Sequence, residues 1–203
     1  MTFSRRVLLS AFAAMPVVAG VGTVAEASAE SARAFITELG KQTLDALQKS
    51  NAPAQRAAKM EDILRRGFDF PTIGRFVIGR YWNTASPQQR EEYIKVFSDF
   101  VAKSYSRRLA DEATINGFNI TNLRDLGEGD SLVQTAITRP SGPPLNYEWR
   151  VRDSGGGTMK IVDVVVEGVS LLVTQRADFT SVAGQNGMDG LIKTLRDKAA
   201  AIQ

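Results

Sequence analysis

The sequence predicts an α+β protein: a curled four-stranded antiparallel sheet packed against several helices. Three observations carry this. Apolar residues recur at helical spacing as far as residue 109, alternate with polar ones between residues 114 and 173, and return to helical spacing near the end. The strand-like segments are joined by short turns rich in glycine and proline, which suits a meander. Helices that precede and follow such a meander pack on one face of it. No internal repeat or linker divides the 203 residues, which fits a single domain over residues 30–203.

Residues 1–29 read as a secretory signal peptide. Arg5 and Arg6 form a basic start, residues 7–25 are uncharged, and Ala27-Ser28-Ala29 offers a cleavage site before Glu30. Ser4-Arg5-Arg6-Val7-Leu8-Leu9 is also a partial twin-arginine export signal. Residues 31–48 then place Phe35, Ile36, Leu39, Leu44 and Leu47 at helical spacing. Asn51 and Pro53 punctuate that helix and start a second, which runs to about residue 66 with Met60, Ile63 and Leu64 inward and ends at Gly67. Pro71 opens a short third helix closed by Gly79. The fourth, residues 87–109, has the plainest start: Ser86 as N-cap, Pro87 at the first helical position and Gln89 completing a capping box. One side of it collects Tyr93, Ile94, Val96, Phe97, Phe100, Val101 and Tyr105, and the other carries Glu91, Glu92, Lys95, Asp99 and Ser106. This apolar stripe covers close to half the circumference, wide for a core-facing helix.

Residues 114–124 and 132–138 read as the first two strands, with a turn at residues 126–130. In the third, Leu145, Tyr147, Trp149 and Val151 alternate with Asn146, Glu148, Arg150 and Arg152, the mark of a half-buried strand. Gly155-Gly156-Gly157 is a hairpin turn, and residues 159–173 are the fourth strand, the most apolar in the chain. Val162, Val164 and Val166 share one face of it and Asp163 and Glu167 the other, with the valine face expected inward. A bulge at Gly168 would return Val169 to the valine face. Helices at residues 177–185 and 188–200 complete the chain.

Composition narrows the chemistry. The chain has 25 Lys and Arg against 22 Asp and Glu, a net charge of +3 with the basic residues scattered, so no nucleic-acid partner is expected. It has no Cys and no His, which excludes disulfides, thiol nucleophiles, Ser-His-Asp triads and the usual zinc sites. No glycine-rich phosphate loop follows a strand, and neither a metal nor a cofactor is expected. An enzyme built from this chain would have to use carboxylates, Lys, Tyr or Arg, and Asp163, inside an apolar strand, is the candidate general base. Arg75 and Arg80 could meet an anionic headgroup, or could serve only in surface salt bridges.

Two blocks of sequence go further. One is Phe68-Asp69-Phe70 through Gly79-Arg80-Tyr81-Trp82 and Ala85-Ser86-Pro87-Gln88-Gln89-Arg90 to Tyr105. The other is Val162-Asp163-Val164-Val165-Val166-Glu167-Gly168-Val169-Ser170, followed by Arg176, Phe179 and Gly187-Met188-Asp189-Gly190-Leu191-Ile192. In these blocks the chain resembles the MlaC family of periplasmic phospholipid-binding proteins, the auxiliary components of ABC transport systems. Thr158-Met159 departs from the family, which usually has a tryptophan shortly before the second block.

The resemblance implies a periplasmic shuttle, a monomer without catalytic residues, that carries phospholipid between an outer-membrane lipoprotein complex and an inner-membrane ABC transporter complex. It implies an apolar cavity for the acyl chains and no cofactor other than the lipid cargo. On that basis the helical wall is expected from Ile78, Tyr81, Tyr93, Phe97, Phe100, Val101 and Tyr105. The sheet wall is expected from Tyr147, Trp149, Val164, Val166, Val169 and Leu171. A carboxylate-based enzyme using Asp163 and a lipid-free adaptor are the alternatives.

Overall fold

The computed structural model describes residues 21–50, 52–111 and 115–202. Six helices and five strands follow in the order α1 (Val21–Lys49), α2 (Pro53–Gly67), α3 (Phe70–Ile78), α4 (Tyr81–Thr84), α5 (Pro87–Asp111), β1 (Gly117–Gly127), β2 (Asp130–Thr138), β3 (Leu145–Asp153), β4 (Met159–Val166), β5 (Val169–Ser170) and α6 (Leu171–Ala201). The strands pair in sequence order, each antiparallel to the next, as one open sheet. The expected α+β meander is therefore present, with a fifth strand added. Most of the expected signal peptide lies outside the described residues; α1 runs unbroken from Val21 through the expected cleavage site at Ala27-Ser28-Ala29, ten residues upstream of the expected helix start.

The helix starts follow from local chemistry. The Asp69 carboxylate accepts the Thr72 N–H at 3.0 Å and caps α3, whose early Pro71 has no donor to satisfy. At α5 the capping box closes both ways: Ser86 Oγ accepts the Gln89 N–H at 3.1 Å, and Gln89 Oε1 accepts the Ser86 N–H at 3.0 Å. Between them α4 is a single turn, where the sequence reading placed only a connection.

The fourth strand is shorter than expected and bulges elsewhere. Val151 pairs with Ile161 and Arg150 with Asp163, so Val162 is the extra residue, and Ile161 and Val164 join one apolar cluster although three positions apart. Strict alternation through Val162 therefore fails. At the other end Glu167 (φ 48°) and Gly168 (φ 82°) form a two-residue hairpin turn with both central residues left-handed. Glu167 tolerates this because its carboxylate accepts the Asn146 N–H at 2.7 Å. The chain thus reverses at Gly168 and does not bulge there. After the short β5, Leu171 opens α6, where the fourth strand was expected to continue to residue 173 and the next helix to start only at 177. A break at Gly187 divides α6 close to where two helices were expected.

The apolar interior has three parts. A helical cluster gathers Phe70, Val77, Ile78, Tyr93, Phe97, Phe179, Leu191 and their neighbours from α3, α5 and α6. A sheet cluster gathers Val133, Val151, Ile161 and Val164 under Ala32 and Ile36 of α1. A smaller one joins α1 to α2 through Ala46, Leu47, Met60 and Ile63. Phe68, between α2 and α3, packs on both larger clusters, and its backbone forms a parallel bridge with Ile161. The next N–H, that of Asp69, donates to the Ile161 carbonyl at 3.0 Å.

Candidate functional site

All the expected lining residues but Tyr105 and Val169 fall on the two larger clusters, and they differ sharply in burial. Ile78, Tyr93 and Phe97 are filled core, not open wall. Phe97 is 1 % exposed, with the rings of Phe70, Tyr93 and Phe179 at 6.5, 5.6 and 5.5 Å between centroids. The buried Tyr93 hydroxyl donates to the Gly74 carbonyl at 3.1 Å, and burial pushes its pKa well above the usual phenol range. A lone wide stripe on α5 cannot distinguish rings that meet other rings from rings that face a ligand.

The remaining α5 residues fit a wall better. Phe100, Val101 and Tyr105 are half-buried. Phe100 touches the helical cluster only at its rim, with its ring 6.4 Å from that of Phe179. Burial raises the Tyr105 pKa, which Asp178 raises further and Arg108 lowers, and Gln175 of α6 donates to its hydroxyl at 3.4 Å. Tyr81 is half-buried, with its hydroxyl close to Gly184 of α6.

On the sheet, Tyr147, Trp149, Val164 and Val166 share the face that carries Val133 and Val151. Val164 is buried; Tyr147, Trp149 and Val166 are half-buried. The Tyr147 and Trp149 rings stack at 5.6 Å and 14°, and the Trp149 indole donates to Thr135 Oγ1 at 2.9 Å. Leu171 is half-buried on the same cluster, from the first turn of α6 instead of a strand. Val169 pairs directly with Val166 and so shares the valine face, but through the hairpin reversal. It lies on the short edge strand and is 58 % exposed, so it is not the covered wall that the sequence suggested.

Half-buried apolar side chains thus border a seam between the helical and sheet clusters. Phe68 touches both sides of it, and Leu171 and Leu172, consecutive in α6, pack one on each. Phe68 and Leu172 were not among the expected lining residues. The only sequence signal for Phe68 was its place in the Phe68-Asp69-Phe70 block. A groove of about 440 Å³ opens at the Phe68 end, beside Arg65, Asp69 and Lys160, and another of about 510 Å³ lies between α1 and α2.

Asp163 is engaged in structure. Its Oδ1 accepts the N–H of Val164 at 2.7 Å and that of Leu172 at 3.2 Å, and its Oδ2 accepts the Ser170 hydroxyl at 2.8 Å. Ser170 Oγ in turn accepts the Val173 N–H at 3.1 Å. Together the two side chains satisfy donors of the first turn of α6, which otherwise lack partners. Arg75 and Arg80 stand over the rings of Trp82 and Tyr81, and among the described residues neither forms a salt bridge. Among the described residues no group of His, Cys, Asp or Glu could hold a metal ion, and no helix is long and apolar enough to cross a membrane.

Comparisons with known proteins agree with this geometry. A family model described as "MlaC protein" matches residues 37–197. The "Intermembrane phospholipid transport system binding protein MlaC" of Haemophilus influenzae is 25 % identical over 131 residues, 63 % of this chain and 60 % of that protein. The alignment therefore spans about three fifths of that relative's length. The fold is similar to that of the phospholipid-binding protein from Ralstonia solanacearum, solved in complex with a phospholipid: TM-score 0.71, 20 % identity, covering 84 % of this chain and 98 % of that one.

Proposed function

Because the chain belongs to the MlaC family, we propose that it is a phospholipid carrier that holds acyl chains in the seam between its helical and sheet clusters. The observation that carries this reading is that both clusters keep half-buried apolar side chains: Phe100 and Val101 on the helical one, with Tyr105 a turn further along α5, and Tyr147, Trp149 and Val166 on the sheet one. A filled core would hide such rings. Left partly exposed, they offer area to an acyl chain, whose transfer out of water is worth about 0.8 kcal/mol per methylene. Filling the seam parts two clusters that are each already packed, so neither must melt to admit a tail.

The relatives' names support the cargo and the direction of the reading. The protein would collect phospholipid from one membrane complex and deliver it to another, with an outer-membrane lipoprotein complex and an inner-membrane ABC transporter complex as partners. Residues 1–29 are read as an export signal removed before Glu30, which would place the carrier in the periplasm, where it would act as a monomer. Transfer makes and breaks no covalent bond, so no residue is given a catalytic role.

The test is extraction of the purified protein with organic solvent and mass spectrometry of the extract. Phospholipid close to one molecule per chain is expected, with a lower Tm after delipidation, since a ligand held at a hundredfold excess over Kd adds about 2.7 kcal/mol. A lipid-free extract together with identical melts before and after extraction would favour the adaptor reading.

A further inference from the structure

One face gathers arginines that stack on aromatic rings and not on carboxylates. Arg75, Arg80, Arg90 and Arg176 each lie over an aromatic ring: Arg75 and Arg90 at 5.9 and 5.4 Å from the Trp82 centroid, Arg80 at 5.1 Å from Tyr81, and Arg176 at 4.8 Å from Phe76. None of the four forms an ion pair among the described residues, although arginines elsewhere in the molecule do so with Glu61, Asp62, Asp99 and Asp130. Arg90 is held by the carbonyls of Trp82 and Asn83, and Arg176 donates to the Phe76 carbonyl at 3.2 Å. Of the acids nearest in sequence, Asp69 caps α3, Glu167 accepts the Asn146 N–H, Glu92 pairs with Arg196, and Asp178 stands two residues beyond Arg176, off its helical face; Glu91, next to Arg90, is exposed on the outer side of α5.

The same face collects exposed apolar side chains. Of the four large exposed hydrophobic residues among those described, Phe76 (41 %) lies under Arg176, and Val173 (60 %) stands one turn before Arg176 on the same side of α6. Val169 is on the strand that leads into that helix. These side chains stand singly between guanidinium groups and do not line a recess. A protein partner of ordinary affinity needs about 800 Å² of complementary surface with pockets for its anchors. A bilayer needs neither: protruding apolar groups enter its headgroup region while cations meet its anionic lipids, and the two contributions together give stable but reversible attachment.

We propose that this face, carried by Arg75, Arg80, Arg176, Phe76 and Val173, docks the protein on the surface of an anionic lipid bilayer. Docking would act outside the seam and needs no cargo, so it goes beyond the carrier reading. The protein purified from cells expressing the full chain and then delipidated is floated with vesicles of phosphatidylcholine alone or mixed with phosphatidylglycerol. Wild type is expected to float only with the mixed vesicles, less so as salt rises. A basic residue near such a surface is worth about fivefold in partitioning, so the Arg75→Glu/Arg80→Glu variant should lose at least about thirtyfold. Val173→Asp should also lose binding and fold normally, since it puts a carboxylate in the first turn of a helix. Wild type that ignores mixed vesicles, binds both kinds equally, or is matched by either folded variant overturns the proposal. Salt-sensitive docking by a protein that never yields lipid on extraction would sink the carrier reading and leave this one standing.

Discussion

Phe97 and Val166 were expected to do the same work, but Phe97 is buried among rings while Val166 is half-buried, and one experiment can separate the roles proposed for them. Phe97→Ala removes a ring that is 1 % exposed and packed among Phe70, Tyr93 and Phe179. Truncating such a core aromatic costs about 3–5 kcal/mol, because its neighbours cannot fully close the hole. For a domain of this size about 2–4 °C of Tm goes with each kcal/mol, so a fall of about 6–20 °C is expected. Lipid content should stay near wild type in the cold, since the lost ring faces protein. Val166→Glu changes a half-buried residue whose carboxylate can reach water at the sheet rim. It should cost about 1 kcal/mol of stability. An acyl chain laid against that rim would nevertheless bury the charge, so little or no lipid should co-purify. Thermal melts by circular dichroism and phosphorus assay of extracts read both effects. A Phe97→Ala protein of normal Tm that has lost its lipid, beside a lipid-replete Val166→Glu, would refute the division into core and seam.

Asp130, buried on the opposite sheet face, accepts from Arg152 at 2.6 and 2.8 Å and from Arg150 at 2.9 and 2.6 Å. Arg152 and then Arg150 hold its carboxyl below the usual carboxylate range against the opposing effect of burial. A depressed folded-state pKa gives stability that is complete above the ordinary value near 3.8 and is lost as pH falls through the folded one. Urea midpoints should therefore drop below pH 4, and Asp130→Asn should flatten that drop while lowering the neutral-pH midpoint. Gly79→Ala should lower stability by about 1–2 kcal/mol. Gly79 has φ +52°, and Arg176 Nη2 lies 2.8 Å from where a Cβ would stand; an unchanged melt would show that Arg176 moves freely. Asp163→Ala should cost about 1–3 kcal/mol by stranding N–H donors at the start of α6, with lipid content preserved. Loss of a catalytic turnover in a stable Asp163→Asn protein would instead restore the enzyme reading.

What could be read in the sequence was what is local. The capping box at Ser86 and Gln89, the Pro71 start and Gly79 stop of α3, and the alternation of β3 all involve residues within a few positions of one another, and the structure reproduces them. The errors gather where a distant partner decides. The run from Ile161 to Val166 is apolar at both parities, so nothing in it marks Val162 as the bulge; the pairing with Arg150 and Val151 does. Glu167 is a poor residue for a left-handed turn and hides the hairpin, because its compensating partner, the Asn146 N–H, is 21 residues away. Leu171 to Val173 read as strand since the Asp163 carboxylate that helps to start α6 is not visible as a cap in sequence. The stripe on α5 gave the right residues for the interior but could not say that Tyr93 and Phe97 already had rings to meet.

The bridge between Phe68 and Ile161 bears on how crowded copies of this chain behave. β5 covers β4 only at Val165 and Val166, which leaves the stretch from Met159 to Val162 on a sheet border with backbone groups free to recruit another strand. It is also the most apolar strand in the sheet, the composition that makes such a border hazardous. The Phe68 bridge and the Asp69 N–H occupy the Ile161 position from within the chain, and the Val162 bulge bends the line that an incoming strand would have to match. At the far border β1 is kinked at two places and carries Arg124 and Asp125, a poor template for a second sheet. A protein whose apolar rings stay partly exposed gains from a sheet margin that does not adhere to other copies, and here the short link between two helices seals it.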